Sequence, residues 1–137
     1  MSSNVQRELA AVTQSAPSSR VMVVDDDNAI LLALRIRLSH AGFDVRAFSD
    51  GAEALSHIDA FEPAVAVLDI NMPGRNGIQV GAQIQARQPD CRLVYLTASC
   101  DDKLRLEAEQ LSVYAYMEKP YVSQDLIERI AQGAAVS

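Results

Sequence analysis

From Val21 onward, short apolar runs alternate with longer stretches of helical period, the rhythm of a βα repeat built on a largely parallel sheet. The runs are Val21-Met22-Val23-Val24, Ala64-Val65-Ala66-Val67-Leu68, Leu93-Val94-Tyr95-Leu96 and Tyr114-Ala115-Tyr116-Met117. Their apolarity is continuous, so helices are expected to cover these strands on both faces. Asp44-Val45-Arg46-Ala47-Phe48 alternates instead, as an edge strand does. The alternation of five such strands with five helices predicts a doubly wound α/β sandwich.

The first helical segment starts near Asn28, aligns Ile30, Ala33, Leu34, Leu38 and Ala41 on one face and ends at Gly42, a natural C-terminal cap. A second apolar stripe, Leu32 and Ile36 with Leu31 beside it, is offset from that face. The second segment opens at Asp50 with Glu53 in capping-box spacing and buries Ala54, Leu55, Ile58 and Phe61. The third runs from about Gly77 to Arg87 around Val80 and Ile84, with Gly81 inside it at a cost of about 1 kcal/mol relative to Ala. The fourth, from about Lys103, offers Leu104, Ala108 and Leu111; the fifth, from about Ser123, offers Leu126, Ile127 and Ile130.

Residues 1–19 are rich in Ser, Gln and Ala, with Pro17-Ser18-Ser19 just before the first strand, and read as a flexible tail ahead of one domain over 20–137. Within the tail, residues 5–12 fit two helical turns with Val5, Leu9 and Val12 on one side, a helix too short to hold unless something packs on it.

At 137 residues and 49% hydrophobic, the chain suits one sizeable core and leaves no room for a second domain. A net charge of -6 argues against binding a nucleic-acid backbone, which needs clustered Lys and Arg. Cys91 and Cys100 lack metal-ligand spacing and read as free thiols in a reducing compartment. With no apolar run near the roughly 18 residues that span a bilayer and no signal-peptide layout, a soluble cytoplasmic chain is expected.

In open parallel sheets, ligands bind outside the carboxyl ends of the strands. The first run ends in Asp25-Asp26-Asp27, the third strand in Asp69, the fourth in Thr97 and the fifth in Lys119 followed by Pro120. Carboxylates, a hydroxyl and an ammonium group should therefore converge at one edge. Carboxylates about 4 Å apart repel by roughly 4 kcal/mol at an effective dielectric near 20, so such a cluster calls for a cation. The hard oxygen donors suit Mg²⁺ better than a soft metal. Asp69, alone at the end of a central strand, is the best nucleophile towards phosphorus; Asp25 and Asp26 are placed to hold the ion, with Lys119 and Thr97 facing phosphoryl oxygens. Taken singly, each motif equally suits a capped helix, a turn or a strand exit, and Tyr116 equally suits core packing; the joint placement at strand ends points to a site.

Val-Met-Val-Val-Asp-Asp-Asp, Leu-Asp-Ile-Asn-Met-Pro-Gly, Leu-Thr-Ala-Ser and Glu-Lys-Pro, in that order over about residues 20 to 132, resemble the receiver domains of bacterial two-component response regulators. The resemblance implies a flavodoxin-like (βα)5 fold with strand order 2-1-3-4-5 and a phosphorylation-operated switch. Asp69 would accept the phosphoryl group from a histidine kinase or histidine phosphotransfer protein and later shed it by self-hydrolysis, with no chemistry on external substrates. Asp26, Asp69 and the backbone carbonyl of Asn71 would bind Mg²⁺, with Asp25 acting mainly through water. Lys119 would contact the phosphoryl group, its bond to Pro120 being cis, and Thr97 and Tyr116 would form the switch. Asn71 and Ser99 stand at positions that tune hydrolysis, and Leu31, Leu32 and Ile36 would dock the phosphoryl donor. A homodimer through the fourth helix, fifth strand and fifth helix is compatible with the resemblance, though no charge pattern selects it.

The chain departs from the family at Leu111-Ser112-Val113, where a Gly-Ala pair is usual, at Asn76, where Asp is common, and at Gly81. Two rivals remain: a receiver-like binding module that works without phosphorylation, and a phosphatase of the haloacid dehalogenase type. The complete Asp, Thr and Lys set argues against the first, and Asn71, standing where the second needs an acid, against the second.

Overall fold

The computed structural model describes residues 19–70, 72, 76–97, 113–118 and 124–136, with the backbone alone at 97, 113–118, 125 and 136. Its strands are β1 (Arg20–Val24), β2 (Asp44–Phe48), β3 (Val65–Asp69), β4 (Arg92–Thr97) and β5 (Val113–Glu118). They form one sheet in the order β2-β1-β3-β4-β5, and every pairing is parallel. The helices are α1 (Asn28–His40), α2 (Gly51–Ser56), α3 (Ile58–Phe61), α4 (Gly77–Arg87) and α5 (Gln124–Val136). The doubly wound α/β sheet and its expected strand order are thus observed. The second helical segment divides at His57 into α2 and α3. The tail ahead of Ser19 and the fourth helical segment fall outside the described residues.

Strand periodicity divides the core cleanly. Met22, Val24, Ala66, Leu68, Leu93 and Tyr95 turn to one face, against Ala54, Leu55, Ile58 and Phe61 of α2–α3 and Val80 and Ile84 of α4. Val21, Val23, Val65, Val67, Val94 and Leu96 turn to the other, against Leu31, Leu34 and Leu38 of α1 and Leu126, Ile127 and Ile130 of α5. Because side chains alternate along a strand, an apolar run supplies both layers at once. At the edge, β2 buries only Phe48, while Val45 and Ala47, the apolar positions of its alternation, are half-buried against the opposite layer.

Local chemistry sets the helix ends. The Asp27 carboxylate accepts hydrogen bonds from the backbone N–H groups of Ala29 (2.9 Å) and Ile30 (3.3 Å) and caps α1. At the other end Gly42 takes φ +97°, its N–H donates to the Ser39 carbonyl, and the Phe43 N–H donates to that of Leu38. This is a Schellman closure, which a residue with a Cβ resists. Asp50 caps α2 through the Glu53 N–H. Asn76 caps α4 in a full capping box with Gln79, so the Asn in place of the family's usual Asp keeps the capping chemistry.

Two expectations for α1 need correcting. Leu31 turns inward at 8% exposure and belongs to the core, while Ala41, assigned to the core face, lies exposed at the C-cap. The buried ridge is therefore Leu31, Leu34 and Leu38, rotated from the face centred on Ile30. The cause is the packing of α1 over β1 and β2, which an apolar count along a helix rich in Leu and Ile cannot orient.

Candidate functional site

The carboxyl ends of β1 and β3 are neighbours, since Val24 pairs with Leu68. One residue further on, each strand end carries an acid. Asp25 and Asp69 are both 1% exposed, whereas Asp26 is exposed. Ligand oxygens of Asp25, Asp26 and Asp69 lie within 4.8 Å of one another, although Asp69 is more than forty positions away along the chain. No other group of three or more His, Cys, Asp or Glu among the described residues meets that geometry.

The backbone holds this arrangement in place. The Asp27 N–H donates to Asp25 Oδ1 at 2.9 Å, orienting the buried carboxylate, and the Asp25 N–H donates to the Phe48 carbonyl at 3.1 Å. Beyond Asp69, the Ile70 N–H donates to the Leu96 carbonyl at 2.9 Å, and the Gly77 N–H donates to the Ile70 carbonyl at 3.1 Å. The N-terminus of α4 is thereby drawn against the acid-bearing strand end. A Cβ at Gly77 would collide with the carbonyl oxygen of Asp69, so only glycine permits this approach. Gly77 escaped the sequence reading as a site-shaping residue; the Asn76-Gly77 pair was its only signal.

Three carboxylates this close repel one another by roughly 3–4 kcal/mol per pair at an effective dielectric near 20. Burial of two of them raises the demand for a counter-charge. Clustered carboxylate oxygens are the donor set of a hard divalent cation, and the exposed Asp26 leaves one side open to water and a phosphoryl group. The residues present therefore fit Mg²⁺.

Thr97 closes β4 one position beyond Leu96, the register partner of Asp69, so its backbone stands at the same edge. Tyr116 lies in β5 opposite Tyr95. Asn71, Ser99, Lys119 and Pro120 lie outside the described residues.

A model of the response regulator receiver domain matches residues 21–131. The chain belongs to that family. "Transcriptional regulatory protein PrrA" of Mycobacterium leprae is 36% identical over 113 residues, 82% of this chain and 48% of that protein. The receiver thus spans about half the length of the curated relatives it matches. Among solved structures, a receiver domain protein from Methanospirillum hungatei JF-1 superposes with a TM-score of 0.82 at 24% identity, covering 86% of this chain and 94% of that one. The "BeF3 Activated DrrB Receiver Domain" superposes at 0.75 with 28% identity, covering 85% and 97%. Receiver domains of this family are phosphorylated on an aspartate in two-component signalling.

Proposed function

We propose that Asp69 is the phosphoryl acceptor of this receiver and that Asp25, Asp26 and Asp69 hold Mg²⁺ beside it. The observation that carries the reading is the meeting of these carboxylates at the joined ends of β1 and β3, with Asp69 buried and Asp26 open to solvent. A carboxylate oxygen of Asp69 attacks phosphorus while the bond from phosphorus to the donor's histidine nitrogen breaks; with the other ring nitrogen of that phosphohistidine protonated, the donor leaves as neutral imidazole and an acyl phosphate remains on the chain. Mg²⁺, when bound, offsets negative charge on the phosphoryl oxygens. Asp25, oriented by the Asp27 N–H, and Asp26 would supply carboxylate oxygens to the ion. Lys119, Thr97, Tyr116, Asn71 and Ser99 take the roles their family positions imply.

The donor is a histidine kinase or histidine phosphotransfer protein, docking over the Leu32 and Ile36 face of α1, with residues 20–137 as one cytoplasmic receiver unit. Among the described residues no helix is long and apolar enough to cross a membrane. The test is labelling of the whole chain by acetyl phosphate with and without Mg²⁺. Wild type should incorporate phosphoryl only with the ion, and Asp69→Asn should incorporate none. Ion-independent labelling, or label retained in Asp69→Asn, would show the acceptor lies elsewhere; no labelling at all favours a module that works unphosphorylated.

A further inference from the structure

Among the described residues, two large apolar side chains stand out in solvent, Leu32 at 57% and Ile36 at 49% exposure, both on α1. Beside them lies a cavity of about 290 Å³ between α1, β2 and α2. Leu31, Leu32, Ala47 and Phe48 give it apolar walls, and Arg35 and Glu53 bring one charge of each sign to it. Such a groove suits a short amphipathic helix with apolar residues one and two turns apart and mixed charges at its margins.

The chain itself carries that segment. Val5, Leu9 and Val12 recur at helical spacing, and Glu8, on the flank of that face, supplies the opposite charge for Arg35. We propose that residues 5–12 dock as a helix along α1, covering Leu32 and Ile36 and entering the adjoining groove. The inference rests on the exposure of that face and not on the phosphoryl-transfer reading, and a phosphoryl donor that docks on the same face displaces the segment.

The tether is long enough. β1 begins at Arg20 on the edge of the sheet opposite the acids, and α1 descends from Asn28 towards that edge. The strand climbs about 16 Å at ~3.3 Å per residue. Residues 13–19 reach roughly 23 Å when extended. Residues 5–12 then lie parallel to α1 with Val12 near the start of the tether and Val5 towards the groove. Tethering gives the segment an effective concentration in the millimolar range, so packing too weak to show between separate molecules is populated within one chain. The same contact supplies what a helix this short lacks alone.

Hydrogen–deuterium exchange on the full chain, without any phosphoryl donor, tests the docking separately from phosphorylation. Amides 5–12 should exchange about tenfold or more slowly than an unstructured peptide. Leu9→Glu and Leu32→Glu should each abolish that protection, Leu32 lying on the domain surface. Arg35→Glu should weaken it, and adding Glu8→Arg should restore it. Exchange of 5–12 at the unstructured rate, protection that survives Leu32→Glu, or a charge swap that restores nothing would overturn the proposal. Protection that fades on dilution together with a halving of particle mass would assign the groove to a second copy instead.

Discussion

The ends of the central strands and their interiors are equally buried and chemically opposite. Asp25 and Asp69 are 1% exposed, while Val24 and Leu68 just before them are 0% exposed. Inside the sheet, burial is the source of stability: each large aliphatic side chain contributes roughly 1.5–3 kcal/mol. At the edge, burial opposes stability, because like charges are crowded where water is scarce. A fold keeps such an edge when its function requires it, and substitutions on the two sides of this boundary should have opposite signs.

The largest effect is expected at Asp69. Asp69→Asn should reduce acetyl phosphate labelling to background, yet raise the metal-free urea midpoint by an amount worth roughly 1–4 kcal/mol, since one of the crowded charges is gone. Saturating Mg²⁺ should narrow that gap, because an ion that binds only the folded state stabilises wild type by mass action. A destabilised Asp69→Asn would break the contrast. One residue inward the sign reverses: Leu68→Ala should cost roughly 2–5 kcal/mol in the same measurement.

Tyr95 and Gly81 sharpen the contrast within the core. Tyr95 is fully buried, its hydroxyl has no hydrogen-bond partner among the described residues, and burial pushes its pKa upward. A Cβ on Gly81 would collide with that hydroxyl and would stand 3.1 Å from Leu68 Cδ1 and Leu93 Cδ1. Gly81→Ala should therefore destabilise by roughly 1–3 kcal/mol despite its better helix propensity. Tyr95→Phe should recover most of that loss, and alone should be neutral or stabilising by about 1 kcal/mol. Additivity in this double-mutant cycle would mean that hydroxyl and glycine do not share the space.

The smallest effect at neutral pH concerns Cys91, whose thiol is pushed from 9.0 up to about 12, chiefly by burial. A raised folded-state pKa favours the neutral thiol. Its contribution is complete below about pH 9 and is lost as the pH climbs towards 12. In a Cys100→Ser chain the alkaline fall in urea midpoint should be shallower after Cys91→Ala, and at pH 8 a thiol reagent should react no faster than the chain opens.

The chain by itself determined the strands, because continuous apolar runs have few other uses, and the helix starts at Asp27 and Asp50, because a capping side chain acts on backbone within three residues. It also placed acids at strand ends, since parallel topology sends every such end to one edge. Only the tertiary structure decided which acid is buried and which is open, that Leu31 faces inward while Leu32 and Ile36 face out, and that Gly77 and Gly81 are demanded by an Asp69 carbonyl and a Tyr95 hydroxyl. Those outcomes depend on contacts between residues distant in the chain, and a short window of sequence carries local hydrogen bonding and periodicity but not the rotation of a helix on its sheet or the shape of what it meets.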